Sequence, residues 1–123
     1  MFECLAVGLG GFVGAVCRYL IGLISVHETM LFPIKTFVIN MIGCIVIGCI
    51  VVSVSKHVSW NPQVLLFMKV GVCGGFTTFS TFALETTDLI KGGHLGVAVS
   101  YILLSVLVGV GTILIINMFS ENI

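Results

Sequence analysis

Apolar residues in this chain neither alternate nor form narrow stripes; they run on without interruption. Four long apolar stretches, at about residues 4–24, 34–54, 63–90 and 96–119, are separated by short polar turns. The turns carry His27, Glu28 and Thr29, then Lys56, His57, Ser59, Asn61 and Pro62, then Lys91, Gly92, Gly93 and His94. An α-helix needs about 20 apolar residues to cross the hydrocarbon core of a bilayer. A membrane β-barrel would instead show segments of about ten residues with alternating polarity. The pattern therefore predicts an all-α integral membrane protein: one membrane domain over residues 1–123 with four transmembrane helices. The first stretch runs on through Gly and Arg18, so a span is expected there and not a cleavable signal.

Composition narrows the classes further. Of the 123 residues, 59% are hydrophobic and 8% charged, with five Lys and Arg against five Asp and Glu. So few charges cannot form the polar surface of a small soluble domain. Nor do they suit a disordered chain or the basic face of a nucleic-acid binder. The five Cys lie in apolar stretches without metal-ligand spacing or a disulfide framework, as buried thiols do. The three His fall in turns, too dispersed for a triad or a metal site. Gly74-Gly75 is not followed by the Lys-Ser/Thr of a phosphate loop, and nothing else suggests an enzyme. Four spans place Lys56 and the N-terminal amine on one side, Lys35 and Lys91 on the other. That leaves almost no positive-inside bias. The expectation is insertion in both orientations, with two copies pairing antiparallel about an axis in the membrane plane.

The third stretch holds the most chemistry: Gly74-Gly75-Phe76-Thr77-Thr78-Phe79-Ser80-Thr81-Phe82. Adjacent glycines weaken a helix, so the third helix is expected to break near mid-membrane. A break exposes carbonyls suited to a monovalent cation and N–H groups suited to an anion. The alternative is a packed kink whose hydroxyls bond back to the helix. Phe79 and Phe82, three apart, share a helical face. Their electropositive ring edges suit a small anion; such a pair is more usually packing or lipid contact, and the flanking hydroxyls are what set this one apart. Asn40 is a lone amide in the second helix, with Thr36 a turn before it and Gly43 about a turn after. It serves either as interhelical glue or as a donor of two N–H groups to an anion. Tyr101, Ser105 and Thr112 fall within about 40° of one another on the fourth helix, a stripe of hydroxyls. Arg18 and Lys69 are ionisable within apolar stretches, which makes a functional role the default. Arg18 also has snorkelling open to it, and Lys69 a vestibule or structural role. Glu85 is expected to pair with a cation or to mark a pore mouth. Gly10 and Gly14, like Gly71 and Gly75, are four apart, a spacing that lets helices approach closely in lipid.

Taken together, GGFTTFSTF at Gly74–Phe82, the Thr36–Asn40 helix and GGFVGAVCRY at Gly10–Tyr19 resemble the CrcB/Fluc fluoride channels over nearly the whole chain. The resemblance implies a dual-topology homodimer in the cell membrane with two antiparallel pores that let fluoride leave the cytoplasm passively. It implies that Phe79 and Phe82 line the pore with their edges toward fluoride, and that Asn40 is an amide donor. Ser80 and Thr81 become polar-track hydroxyls, as do Tyr101 and Ser105 on the last helix. Main-chain carbonyls of Gly74 and Thr77 from both copies would hold a structural sodium ion. Arg18 and Glu85 match the family's first-helix Arg and third-helix Glu. Lys35 stands where many members have Gly, and Phe76 where others carry a different apolar residue. Fluoride is strongly hydrated, so amides, hydroxyls and ring edges must replace its water without a fixed charge that holds it too tightly. Two alternatives are a small dual-topology proton-coupled drug exporter and a non-transporting membrane subunit. The first needs a membrane-embedded carboxylate in the first helix, where this chain has only Glu3. In the second, the Ser, Thr and Phe pattern is packing alone.

Overall fold

A computed structural model describes residues 1–27, 29–56 and 58–122, and no strand occurs among them. Helix α1 is Phe2–Gly22 and α2 is Ile34–Ser55. The third span is composite: α3 (Pro62–Leu65), a π-helical segment (Leu66–Val72), α4 (Cys73–Phe76), two extended residues, and α5 (Phe79–Lys91). Helix α6 is Leu95–Glu121. The four spans, of 21, 22, 30 and 27 residues, are each long and apolar enough to cross a membrane. Their unbroken apolarity follows from their surroundings: Leu5, Phe12, Leu107 and Phe119 are among many large side chains exposed on the outside of the bundle. Lipid accepts such a surface, because a helix satisfies most of its backbone groups internally.

Local chemistry fixes the ends. Asn61 caps α3, its Oδ1 accepting from the Gln63 N–H at 2.9 Å, with Pro62 in the first helical position. Helix α5 stops at Gly93, whose φ of 82° only glycine adopts freely. The His94 N–H then reaches the Leu89 carbonyl at 2.8 Å and the Gly93 N–H that of Ile90 at 3.1 Å. This is a Schellman ending. His27 and His94 are exposed, as expected of turn residues; Glu28 and His57 lie outside the described residues.

Helix α1 packs on the π segment and α4, whereas α2 and α5 pack on α6. The first of these contacts is backbone on backbone, as the glycine spacing predicts. A Cβ at Gly71 would lie 2.7 Å from the Gly10 Cα and 2.8 Å from the Val7 carbonyl. One at Gly14 would collide with the Val72 carbonyl and lie 2.7 Å from the Phe76 nitrogen. At the other end of the bundle, Leu89, Ala98 and Tyr101 form a buried cluster under Phe32, Phe37 and Phe82. Phe32 meets Tyr101 edge-on, centroids 5.3 Å apart, a favoured aromatic geometry.

Candidate functional site

The interruption of the third span is built by α2. Thr77 (φ −77°, ψ 157°) and Thr78 (φ −149°, ψ 118°) are extended. In a continuous helix the Thr78 N–H would return to the Gly74 carbonyl. Here it donates to Asn40 Oδ1 at 2.9 Å, while Asn40 Nδ2 donates to the Thr78 carbonyl at 3.2 Å. The side-chain amide thus pairs with both backbone groups of one residue. Of the two Asn40 N–H donors expected to face an anion, one is therefore committed to Thr78. Gly43, about one turn on, makes the approach possible, because a Cβ there would collide with Thr77 Cγ2. Thr77 Oγ1 donates to the Cys73 carbonyl at 2.8 Å. Thr78 Oγ1 starts α5 by accepting from the Thr81 N–H at 3.2 Å, and lies 3.1 Å from Thr81 Oγ1 and 3.4 Å from Ser80 Oγ.

These bonds free two carbonyls. Gly74 O loses Thr78 N–H to Asn40, and Thr77 O loses Thr81 N–H to the Thr78 hydroxyl. The neighbouring Gly75 carbonyl accepts from Arg18 Nε at 3.1 Å. Gly74 is exposed and faces open space. Unwound carbonyls of this kind coordinate small monovalent cations in membrane proteins, so the donor set fits sodium. Two carbonyls alone are too few to complete the coordination of such an ion.

Two clefts flank the break, and Thr78 lines both. The first, about 400 Å³, is bordered by Asn40, Lys69, Thr77, Phe79, Phe82 and Ser105. The Ser105 hydroxyl is buried and has no partner among the described residues. Phe79 and Phe82 have centroids 5.7 Å apart with planes inclined at 44°. They are not equivalent: Phe79 is 79% exposed, whereas Phe82 rests on Tyr101 at 4.9 Å. The second cleft, about 540 Å³, is bordered by Arg18, Lys35, Thr36, Thr81 and Glu85. Lys35 Nζ also donates to the Gly22 carbonyl at 2.8 Å, closing the C-terminal end of α1. Ser80 is exposed and borders neither cleft.

Glu85 borders the second cleft. Its carboxylate takes two hydroxyls, not a cation: Thr36 Oγ1 donates to Oε1 at 2.7 Å and the Tyr101 hydroxyl to Oε2 at 2.8 Å. Low polarity strengthens such charge-assisted bonds and penalises a carboxylate without them. The expected hydroxyl stripe of α6 therefore divides. Tyr101, fully buried, serves Glu85; Ser105 borders the first cleft; Thr112, half-buried, borders neither. Thr78, which joins the clefts, was not singled out by sequence reasoning. The signal was present in Asn40, since a membrane amide must find a partner with both a donor and an acceptor.

Fold and site together define a multi-pass membrane protein whose third span carries two extended threonines beside two clefts. The family model described as CrcB-like protein, Camphor Resistance (CrcB), matches residues 5–117, and the chain belongs to that family. It is 39% identical over 110 residues to the fluoride-specific ion channel FluC of Gloeothece citriformis, covering 89% of each chain. To the protein of the same name from Ruminiclostridium cellulolyticum it is 44% identical over 107 residues, covering 86% of this chain and 82% of that one. To that from Bacteroides fragilis it is 40% identical over 119 residues, covering 93% and 92%.

Proposed function

We propose that this chain forms a fluoride-selective channel that lets fluoride leave the cytoplasm passively and so lowers its toxicity. Hydrogen fluoride crosses membranes, ionises inside and is trapped; a negative interior then drives the anion out through any selective leak. The observation that carries the reading is the Asn40–Thr78 pair beside a cleft bordered by Phe79, Phe82 and an unpartnered Ser105 hydroxyl, in a chain whose named relatives are fluoride channels. Asn40 keeps one N–H free, the Ser105 hydroxyl is free to donate, and the ring edges complete a shell of weak donors. Such a shell replaces fluoride's water and still releases the ion. Thr78 leads from this cleft to the second, where Thr81 continues the donors and exposed Ser80 lies within 3.4 Å of the Thr78 hydroxyl. Tyr101 acts through Glu85, whose carboxylate it holds.

The functional unit in this reading is an antiparallel homodimer of dual topology, with the third helix broken near mid-membrane. Exposed surface supports a partner: the chain shows 8029 Å², where a soluble monomer of 13.1 kDa would show about 6,400 Å². Phe79 and Gly74, beside the break, are both exposed. The Gly74 and Thr77 carbonyls of two copies would hold a structural sodium ion, which supplies a fixed positive charge near the anion path. The test is fluoride release from liposomes containing only this purified chain, with chloride release measured alongside. Rapid fluoride loss with chloride retained is the expected result. Retention of fluoride by folded protein, or equal loss of both ions, contradicts it.

A further inference from the structure

Among the described residues, Lys69 is the only charged one bordering the first cleft. It sits in the π segment, seven residues after Pro62, which is on the order of 10 Å into the span. Its side chain is exposed and makes no hydrogen bond among the described residues. An ammonium at that depth is costly in hydrocarbon, so it must face water, an anion or a partner charge. Among the described residues, the cleft beside it holds no carboxylate. Its polar lining consists of the Asn40 amide and the hydroxyls of Thr77, Thr78 and Ser105, with two phenyl rings. A space with one ammonium, donors and no acidic side chain suits an anion.

We infer that Lys69 is the anion-attracting charge of the first cleft, raising the local concentration of fluoride before the ion meets Asn40 and the rings. The inference rests on the channel reading above. A lysine suits the task because its ammonium is a well-hydrated point charge on a flexible stem. A cleft with low-dielectric walls focuses such a field.

The distinguishing property is sensitivity to salt. The Debye length is about 30 Å at 0.01 M and about 3 Å at 1 M ionic strength. Fluoride efflux at subsaturating fluoride is measured in neutral-lipid liposomes, with an impermeant salt setting ionic strength between those limits. Wild type is compared with Lys69→Met, Lys69→Gln and Lys69→Arg. At low ionic strength the two neutral variants should conduct about three- to tenfold more slowly than wild type, and Lys69→Arg should retain most of the flux. The gap should close at high ionic strength. Equal rates for all four proteins at low salt overturn the inference, as does a deficit in Met and Gln that persists unchanged at high salt, which marks a structural role. Both results leave the channel reading intact, because wild type still conducts. Absence of fluoride flux from wild type itself defeats the channel reading and this inference with it.

Discussion

Asn40→Asp replaces Nδ2 by an oxygen and leaves the side chain nearly the same shape. Oδ1 still accepts from the Thr78 N–H, but the second oxygen now faces the Thr78 carbonyl, which accepted from Nδ2 at 3.2 Å. Leaving this half-buried carbonyl without its donor costs up to about 1–3 kcal/mol, a loss that weakens the break without unfolding the bundle. The larger effect is on the ion. A carboxylate about 4 Å from a passing anion repels it by about 1 kcal/mol in water and about 4 kcal/mol at an effective dielectric of 20. Flux should therefore fall between about fivefold and a thousandfold. Asn40→Leu separates the terms, since it strands both backbone groups of Thr78 without adding charge. The Thr78 N–H is then free to return to the Gly74 carbonyl and straighten the helix. The assay is fluoride efflux from liposomes, with size-exclusion elution as the control for folding. Wild-type flux through well-folded Asn40→Asp and Asn40→Leu proteins would refute the assignment of Asn40 to both the break and the anion path.

Three further predictions follow from the packing. Phe79→Ile should cut fluoride flux with little change in thermal stability, because the ring is 79% exposed; Phe82→Ile should cut flux and also cost about 1–2 kcal/mol, since that ring packs on Tyr101 at 4.9 Å. Parallel efflux and melting measurements check the contrast. Gly14→Val should abolish folded protein by driving a side chain into the Val72 carbonyl, whereas Gly8→Ala, with nothing within 4 Å, should be neutral or stabilising by up to about 1 kcal/mol; yield of folded protein in detergent distinguishes them. Tyr101→Phe should lower stability by about 1.5–3 kcal/mol, the usual worth of a hydrogen bond to a charged group, because Glu85 loses one of its two donors, at 2.8 Å; thermal melting is the check.

How much of this was legible in the sequence depends on what each feature required. The four spans needed only length and apolarity, and the expected bounds lie within a few residues of those observed. The close contact of α1 with the third span was written in Gly10, Gly14, Gly71 and Gly75, since small residues four apart mean one thing in lipid. The π segment at Leu66–Val72 left no trace, because a stretch that is apolar all round carries no phase from which a change of helical register can be read. Asn40 was recognisable as a residue in need of partners, but its partner Thr78 is 38 residues away and is chosen by tertiary packing. The same holds for Glu85, whose donors come from Thr36 on α2 and Tyr101 on α6 and are likewise chosen by tertiary packing.

The most direct test of the central claim is the reversal potential of the purified chain in a planar bilayer with opposed fluoride and chloride gradients. A passive, selective fluoride pore reverses at the fluoride equilibrium potential, moves by about 59 mV per tenfold change in the fluoride gradient, and ignores a change in the chloride or pH gradient. A reversal potential that follows chloride, or one that shifts with the proton gradient at fixed fluoride, would contradict the account.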